Sequence, residues 1–255
     1  MSTRIRFLGV AGYEIESPAG RILIDPYVRG NRVAPTTIEQ LAPPDLILAT
    51  HAGLDHLGDT AEIARTTGAA VVCGADVRVK LIEDGVPAEQ IQPTVWGIEV
   101  VVAGIRVRPT ESHHWSQGSF DDGSFFNGVP MGFLVETEPG VRIWHWGDTA
   151  LFGDLRLLGE LHRPTVGLIG CATGPVEDLP GPGRYVTGEM SPREAALAAE
   201  WTGVRLAVAS HYEDPDDPDV AEFIRLVQEA GQRQAVALEP GETLVIDGYT
   251  HWSER

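Results

Sequence analysis

Leu46-Ile47-Leu48 lies between Pro43-Pro44 and Thr50-His51-Ala52-Gly53-Leu54-Asp55-His56-Leu57-Gly58-Asp59, and it constrains the fold more than any other stretch. An apolar run of this length bounded by turn residues reads as a buried strand. The polar run therefore starts at the strand's C-terminal end, where a turn can aim two imidazoles and a carboxylate at one point. Neutral imidazole and ionised carboxylate suit zinc, manganese or iron. A polar turn whose aspartate caps the next helix accounts for the same residues without a metal.

The remaining chain sets this strand in an α/β frame. Residues 4–10, 12–16 and 21–25 read as a meander of short strands, punctuated at Ala11-Gly12, Pro18-Ala19-Gly20 and Asp25-Pro26. Residues 28–44 are polar and proline-bearing, as a surface excursion would be. From Asp59 onward strands and helices alternate: helices are expected over 59–67 and 75–83 around a strand at 70–73. Hairpins follow at 95–109 and 131–146. Helices over 152–161, 191–202 and 219–230 then alternate with strands at 166–170, 206–209, 235–238 and 243–246; the second helix opens with the capping box Ser191-Pro192-Arg193-Glu194. Neither a repeat nor a linker is visible, so residues 1–255 are expected to form one domain of two similar halves. Residues 117–130 have no periodicity and read as a long loop, with Phe120, Phe125 and Phe126 as an apolar lid or a plug at the core edge.

Composition narrows the function. With 43% hydrophobic residues and no apolar window near the roughly 18 residues of a membrane span, a soluble globular chain without a membrane partner is expected. Met1-Ser2-Thr3-Arg4 runs straight into a strand without a signal peptide's apolar core, which points to the cytoplasm. Cys73 and Cys171 give no disulfide framework. A net charge of −18 and a single lysine, Lys80, repel phosphate backbones and argue against nucleic acid. The expected partner is a small-molecule substrate, with homo-oligomerisation left open.

Three more strand ends carry ligand-type residues. Thr110-Glu111-Ser112-His113-His114-Trp115 follows one strand, and only one of the adjacent histidines can face the rim that holds His51. Gly147-Asp148-Thr149 ends another, its glycine permitting the close approach that a carboxylate bridging two metals needs. Ser210-His211-Tyr212 ends a third, the place that ligands occupy in α/β sheets.

This constellation resembles the metallo-β-lactamase fold superfamily, in particular the branch containing L-ascorbate 6-phosphate lactonase. The resemblance rests on Phe7-Leu8-Gly9, Ile24-Asp25-Pro26, residues 50–58, Gly132-Phe133, His145-Trp146-Gly147-Asp148-Thr149, the helix over 191–199 and Ser210-His211-Tyr212. His114-Trp115-Ser116 is also similar to a segment of N-acylphosphatidylethanolamine-hydrolysing phospholipases, which favours His114 over His113 as the ligand. The fold so implied is a four-layer αββα sandwich with the site between the two sheets. The family's first motif is His-x-His-x-Asp-His, and Gly53 stands where its second histidine belongs. Carried over, the first metal position has His51, His114 and Asp148. The second has Asp55, His56, His211 and Asp148. One divalent metal is then expected to be firmly held at the second position, zinc foremost with manganese or iron as alternatives. The first is expected to be weak or empty unless His113 or Glu111 replaces the missing ligand.

The resemblance implies a hydrolase that turns a metal-bound hydroxide on an ester, lactone, phosphodiester or amide. Asp55 and Asp148 would be catalytic as well as ligands, and Tyr212 would donate to the developing oxyanion. Asp59 would orient a ligand histidine or cap a helix. Trp115 and Phe125 would line the substrate site, and Arg184 would meet a phosphorylated substrate. The alternative is a degenerate member that binds without turnover or carries out non-hydrolytic chemistry, such as iron redox work.

Overall fold

The computed structural model describes residues 2–172, 182, 188–231 and 233–246, together with the backbone of 247 and 251–254. The first half contributes β1 (Thr3–Gly9), β2 (Gly12–Ser17), β3 (Gly20–Ile24), β4 (Leu46–Leu48), β5 (Ala70–Cys73) and β6 (Ile91–Pro93), with helices α1 (Leu54–Leu57), α2 (Thr60–Thr67) and α3 (Ala75–Glu83). The second half gives β7 (Val100–Val102), β8 (Ile105–Glu111), β9 (Ser116–Ser119), β10 (Phe125–Gly128), β11 (Met131–Glu138), β12 (Val141–His145), β13 (Val166–Gly170), β14 (Leu206–Ser210) and β15 (Gln234–Val236). Its helices are α4 (Asp154–His162), α5 (Pro192–Thr202) and α6 (Pro218–Glu229). The chain then crosses back to the first sheet as β16 (Thr243–Asp247) and β17 (His251–Glu254). None of the described helices is long and apolar enough to cross a membrane.

One sheet has the strand order β17-β16-β1-β2-β3-β4-β5-β6, the other β15-β14-β13-β12-β11-β8-β7. The period-two pattern of the strands explains the layers. In β4, Leu46 and Leu48 face the second sheet, and Ile47 faces α2 and α3 with Ile63, Val77 and Leu81. In β3, Ile22 and Ile24 face inward and Leu23 outward by the same rule. On the far side the apolar faces of α4, α5 and α6, through Leu155, Ala198 and Phe223, cover the second sheet. The result is the expected αββα sandwich.

Strand direction brings the chemistry to one rim. β3 runs parallel to β4, and β12, β13 and β14 run parallel to one another. β8 is antiparallel to β11, which is antiparallel to β12, so β8 and β12 end on the same side. Three backbone hydrogen bonds lace the sheets together there: Met131 N–H to Thr50 O at 3.1 Å, His211 N–H to Val10 O at 2.8 Å and Val10 N–H to Tyr212 O at 3.0 Å.

Residues 117–130 differ from expectation, because β9 and β10 pair as an antiparallel hairpin. Their residues lack apolar alternation, and backbone pairing sets the ladder. Its turn is closed by Phe120 N–H to Ser124 O at 2.9 Å and by Ser124 N–H to the Asp122 carboxylate at 2.8 Å. The hairpin's root is fastened to the site loop by Ala52 N–H to Ser116 Oγ at 3.0 Å, and Ser116 Oγ in turn bonds Asp76 of α3. The strand expected from Val95 starts only at Val100, and the short strands β6 and β17 and the single turn α1 were not legible in the sequence.

Candidate metal centre

The site is built outward from Asp25, a fully buried carboxylate just after β3. It accepts from Thr50 N–H at 2.8 Å, Thr50 Oγ1 at 2.7 Å, His56 Nδ1 at 2.8 Å and His145 Nε2 at 3.1 Å. With Nδ1 of His56 donating to Asp25, Nε2 is the nitrogen turned to the rim, and it offers a lone pair once its proton leaves. Thr50 spends its only proton on Asp25, so its oxygen accepts from His51 Nδ1 at 3.1 Å and leaves His51 Nε2 bare.

Asp55 and His56 lie on α1, whose turn starts at Gly53 and closes with Leu57 N–H to Gly53 O at 2.7 Å. His56 Nε2 comes within 3.1 Å of Asp148 and 4.0 Å of Asp55. His211 Nε2 lies 3.3 Å from Asp55 and 3.6 Å from Asp148. The ligand atoms of Asp55, His56 and His211 all lie within 4.8 Å of one another. His51 and His114 approach Asp148 at 3.9 and 3.8 Å, with their ring centroids 5.1 Å apart. His51, His56 and Asp148 form a second group within 4.8 Å, one that does not take in His114.

His211 is fixed in an unusual backbone state. Its φ is +62°, and its partner across the sheet junction, Val10, has φ +56°. Left-handed backbone is costly for non-glycine residues, above all for a β-branched valine, at about 1–3 kcal/mol each. The reciprocal bonds between residues 10 and 211–212 hold both, and they aim His211 inward.

The charges follow from this crowding. Burial would raise the Asp148 carboxyl, but His211 and His56 hold it well below the usual range. Asp55 is likewise held low by His56 and His211 against burial. Burial would lower His56 and His211, yet the carboxylates around them, Asp148 foremost, hold both well above the ordinary imidazole value. Burial, reinforced by His56, pushes His51 down to about 3, and burial lowers His114. Without a metal the cluster thus keeps two imidazoliums to balance its carboxylates.

The donor set fits a divalent cation. His56 Nε2 and Asp148 Oδ1 are both buried, face each other at 3.1 Å, and have no hydrogen-bond partner among the described residues. Two imidazole nitrogens and two carboxylates meeting at such a point suit zinc, manganese or iron. At Gly53 an added Cβ would sit 2.6 Å from His51 Nε2 and 3.1 Å from Asp55 Oδ1. The His51 ring therefore occupies the space that a side chain at residue 53 would need.

Several expected residues lie elsewhere. The Tyr212 hydroxyl does not face the cluster: it donates to Leu238 O and accepts from Leu238 N–H, both at 2.7 Å, inside the sheet junction. Its expected oxyanion role is corrected to packing. Asp59 contacts no ligand histidine and makes no side-chain cap; its carboxylate accepts from Val28 and Arg29 N–H, each at 2.8 Å, and fixes the loop after β3. His113 and Glu111 pair with each other at 2.8 Å, and His113 stacks on Phe152, so neither replaces a ligand. Trp115 sits beside His114 with ring centroids 5.6 Å apart and is 39% exposed. Phe125 is 65% exposed on β10, and Arg184 lies outside the described residues.

Two residues of the site were not expected as participants, although Ile24-Asp25-Pro26 is one of the stretches that carry the family resemblance. Asp25 reads as a strand-ending Asp-Pro, and nothing local shows that His56 will reach it. Glu189, in Gly188-Glu189-Met190 before α5, is a lone acidic residue in a loop; its carboxylate meets His211 Nδ1 at 2.5 Å. Leu54, between Gly53 and Asp55, is 70% exposed.

Comparison with known proteins gives the lineage. Residues 20–212 match the family model described as the beta-lactamase superfamily domain. A UPF0173 metal-dependent hydrolase from Rubrobacter xylanophilus is 39% identical over 249 residues, 95% of this chain and 96% of that protein. One from Methanopyrus kandleri is 36% identical, over 94% of this chain and 98% of its own. Among solved structures, Igni18, a metallo hydrolase from Ignicoccus hospitalis, superposes with a TM-score of 0.78 at 28% identity, covering 98% of this chain and 100% of that one. The chain belongs to the beta-lactamase superfamily and, within it, to the UPF0173 metal-dependent hydrolases.

Proposed function

We propose that this metal-dependent hydrolase works with one firmly held divalent cation, zinc foremost, at Asp55, His56, His211 and Asp148. In this reading it cleaves a small ester, lactone, amide or phosphodiester, with uncharged esters and lactones ahead of phosphodiesters. The observation that carries the reading is the convergence of Asp55, His56 and His211 within 4.8 Å, with buried His56 Nε2 only 3.1 Å from Asp148. A divalent cation bound there supplies Lewis acidity and acidifies water at neutral pH. Asp25 holds His56 with Nε2 turned to the rim. Asp148 lies against both groups of imidazoles and keeps negative charge where they meet. Asp55, partly exposed, is the carboxylate placed to take a proton from solvent-side water. Exposed Leu54 and Trp115 flank these residues and offer an apolar seat. Asp55, Asp148 and the acidic chain around them disfavour an anionic substrate.

Metal analysis after expression without added metal tests the centre, with close to one equivalent per chain expected. Two tightly held equivalents would refute the single-cation version. Activity is then compared over lactones, carboxylic esters, phosphodiesters and amides for the wild type, His56→Ala and Asp148→Asn. Hydrolysis that both variants abolish is expected, whereas a metal-replete wild type inert on every class would overturn the hydrolytic reading.

A further inference from the structure

The two imidazoles of the Asp55, His56 and His211 group differ from His51 in what stands behind them. His56 Nδ1 faces the Asp25 carboxylate at 2.8 Å, and His211 Nδ1 faces the Glu189 carboxylate at 2.5 Å. His51 Nδ1 faces an uncharged group instead, the Thr50 hydroxyl at 3.1 Å. Glu189 itself is almost wholly buried, with a side-chain exposure of 6%, and it packs so tightly that a Cβ on Gly170 would meet its Oε2 at 2.3 Å. The end of β13 thus leaves room for a carboxylate at this point, and α5 begins directly after it under the Ser191 cap. A buried carboxylate against one imidazole nitrogen fixes the tautomer, holds the ring plane and raises the basicity of the other nitrogen.

We propose that Glu189 is a positioning residue: it holds His211 with Nε2 toward Asp55 and Asp148 and, paired with Asp25 behind His56, makes this group the tight metal site. The proposal rests on the metal-centre reading above. It adds a cause for the difference between the two sites that is independent of Gly53. Glu189 meets His211 at Nδ1; one of its oxygens also lies within 4.8 Å of ligand atoms of His211 and Asp148, and a direct ligand role would show as a loss of affinity that glutamine does not restore.

Zinc affinity, measured by competition with a chromophoric chelator well below each variant's melting temperature, tests this without turnover. The set is the wild type, Glu189→Ala, Glu189→Gln and Glu213→Gln, each stripped of metal and reloaded. Glu189→Ala is expected to weaken zinc binding by about 10–100-fold, the usual consequence of losing such a partner. Glu189→Gln keeps a carbonyl oxygen for the Nδ1 proton, so its loss is expected to be under about tenfold. Glu213, two residues past His211 and paired with exposed Arg32, controls for the loss of one nearby negative charge and should leave affinity unchanged. In the cobalt-loaded protein, Glu189→Ala should also shift the visible ligand-field bands, and Glu189→Gln should largely restore them. Unchanged zinc affinity in Glu189→Ala overturns the proposal, as does an equal loss in the glutamine variant, which would assign the effect to charge or to direct ligation. If Glu189→Ala does not fold, Glu189→Met, which fills the space without accepting a hydrogen bond, takes its place: a loss of tenfold or more that glutamine largely restores supports positioning, and unchanged affinity or an equal loss in the glutamine variant refutes it. A wild type that binds no zinc at all removes the metal-centre reading itself, an outcome distinct from either.

Discussion

Asp25 shows how much one residue can carry. Four donors converge on its carboxylate, and replacing it by alanine leaves two imidazole nitrogens, a hydroxyl and a backbone N–H without their acceptor. In the metal-free protein, Asp25→Ala is expected to cost about 3–5 kcal/mol, measured by urea unfolding, because it strands buried charge. The pH dependence has a definite sign. Burial would raise this carboxyl, but His56 and His145 hold it far below the ordinary carboxylate range. Its contribution is therefore complete above the unfolded-state value near 4 and disappears as pH falls through the lowered folded-state value. Asp25→Asn, chelated, should show a shallower acid limb than the wild type in unfolding curves recorded from pH 6 downward. Leu54 makes the opposite case, since it is exposed and supports no core. Leu54→Ser should leave stability within about 0.5 kcal/mol. Under the proposed ester hydrolysis, it should raise KM for medium-chain esters roughly tenfold while barely affecting acetyl esters, as the loss of one apolar contact predicts. A KM that is independent of chain length in both proteins would remove Leu54 from the substrate seat.

At the scale of elements, helix propensity and packing give contrary forecasts at Gly159 in α4. Propensity alone says that alanine would gain about 1 kcal/mol in a helix interior. The structure says otherwise, because a Cβ there would lie 2.4 Å from Thr202 Cα and 2.6 Å from Thr202 O in α5. Backbone cannot step aside as a side chain can, so Gly159→Ala is expected to destabilise by about 1–3 kcal/mol, read as a lower urea midpoint. The same distinction separates what was legible from what was not. Strands with apolar alternation, such as those around Ile22 and Leu46, and helices with caps, such as the one opened by Ser191, could be read locally. The β9–β10 hairpin could not, because its pairing rests on backbone bonds and on an Asp122 turn rather than on a hydrophobic pattern.

For the whole molecule, charge is the dominant departure from an average protein. Thirty-seven acidic residues face nineteen lysines and arginines. The single lysine is already held by Glu83, Asp84 and Asp121. Self-repulsion of this size is screened by salt, so the melting temperature of the chelated protein should rise between 20 mM and 500 mM sodium chloride. A flat or falling trend in scanning calorimetry would show that local ion pairs outweigh the overall field. Metal binding should also release protons near neutral pH, because His56 and His211 hold theirs above the ordinary imidazole range until a cation replaces them. Zinc affinity is accordingly expected to climb with pH from 6 to 8, and proton uptake on loading would contradict the charge balance described above.

The sequence by itself determined the layered α/β frame and the ligand-type residues at His51, Asp55, His56, His114, Asp148 and His211, because apolar period and strand-end position are local properties of a chain. Only the tertiary structure decided which imidazole nitrogens face inward, that Tyr212 is spent on Leu238, and that Asp25 and Glu189 stand behind the histidines. Those facts depend on contacts between residues 31 and 22 positions apart, across His56–Asp25 and His211–Glu189, and no local pattern encodes which distant atom a side chain will meet.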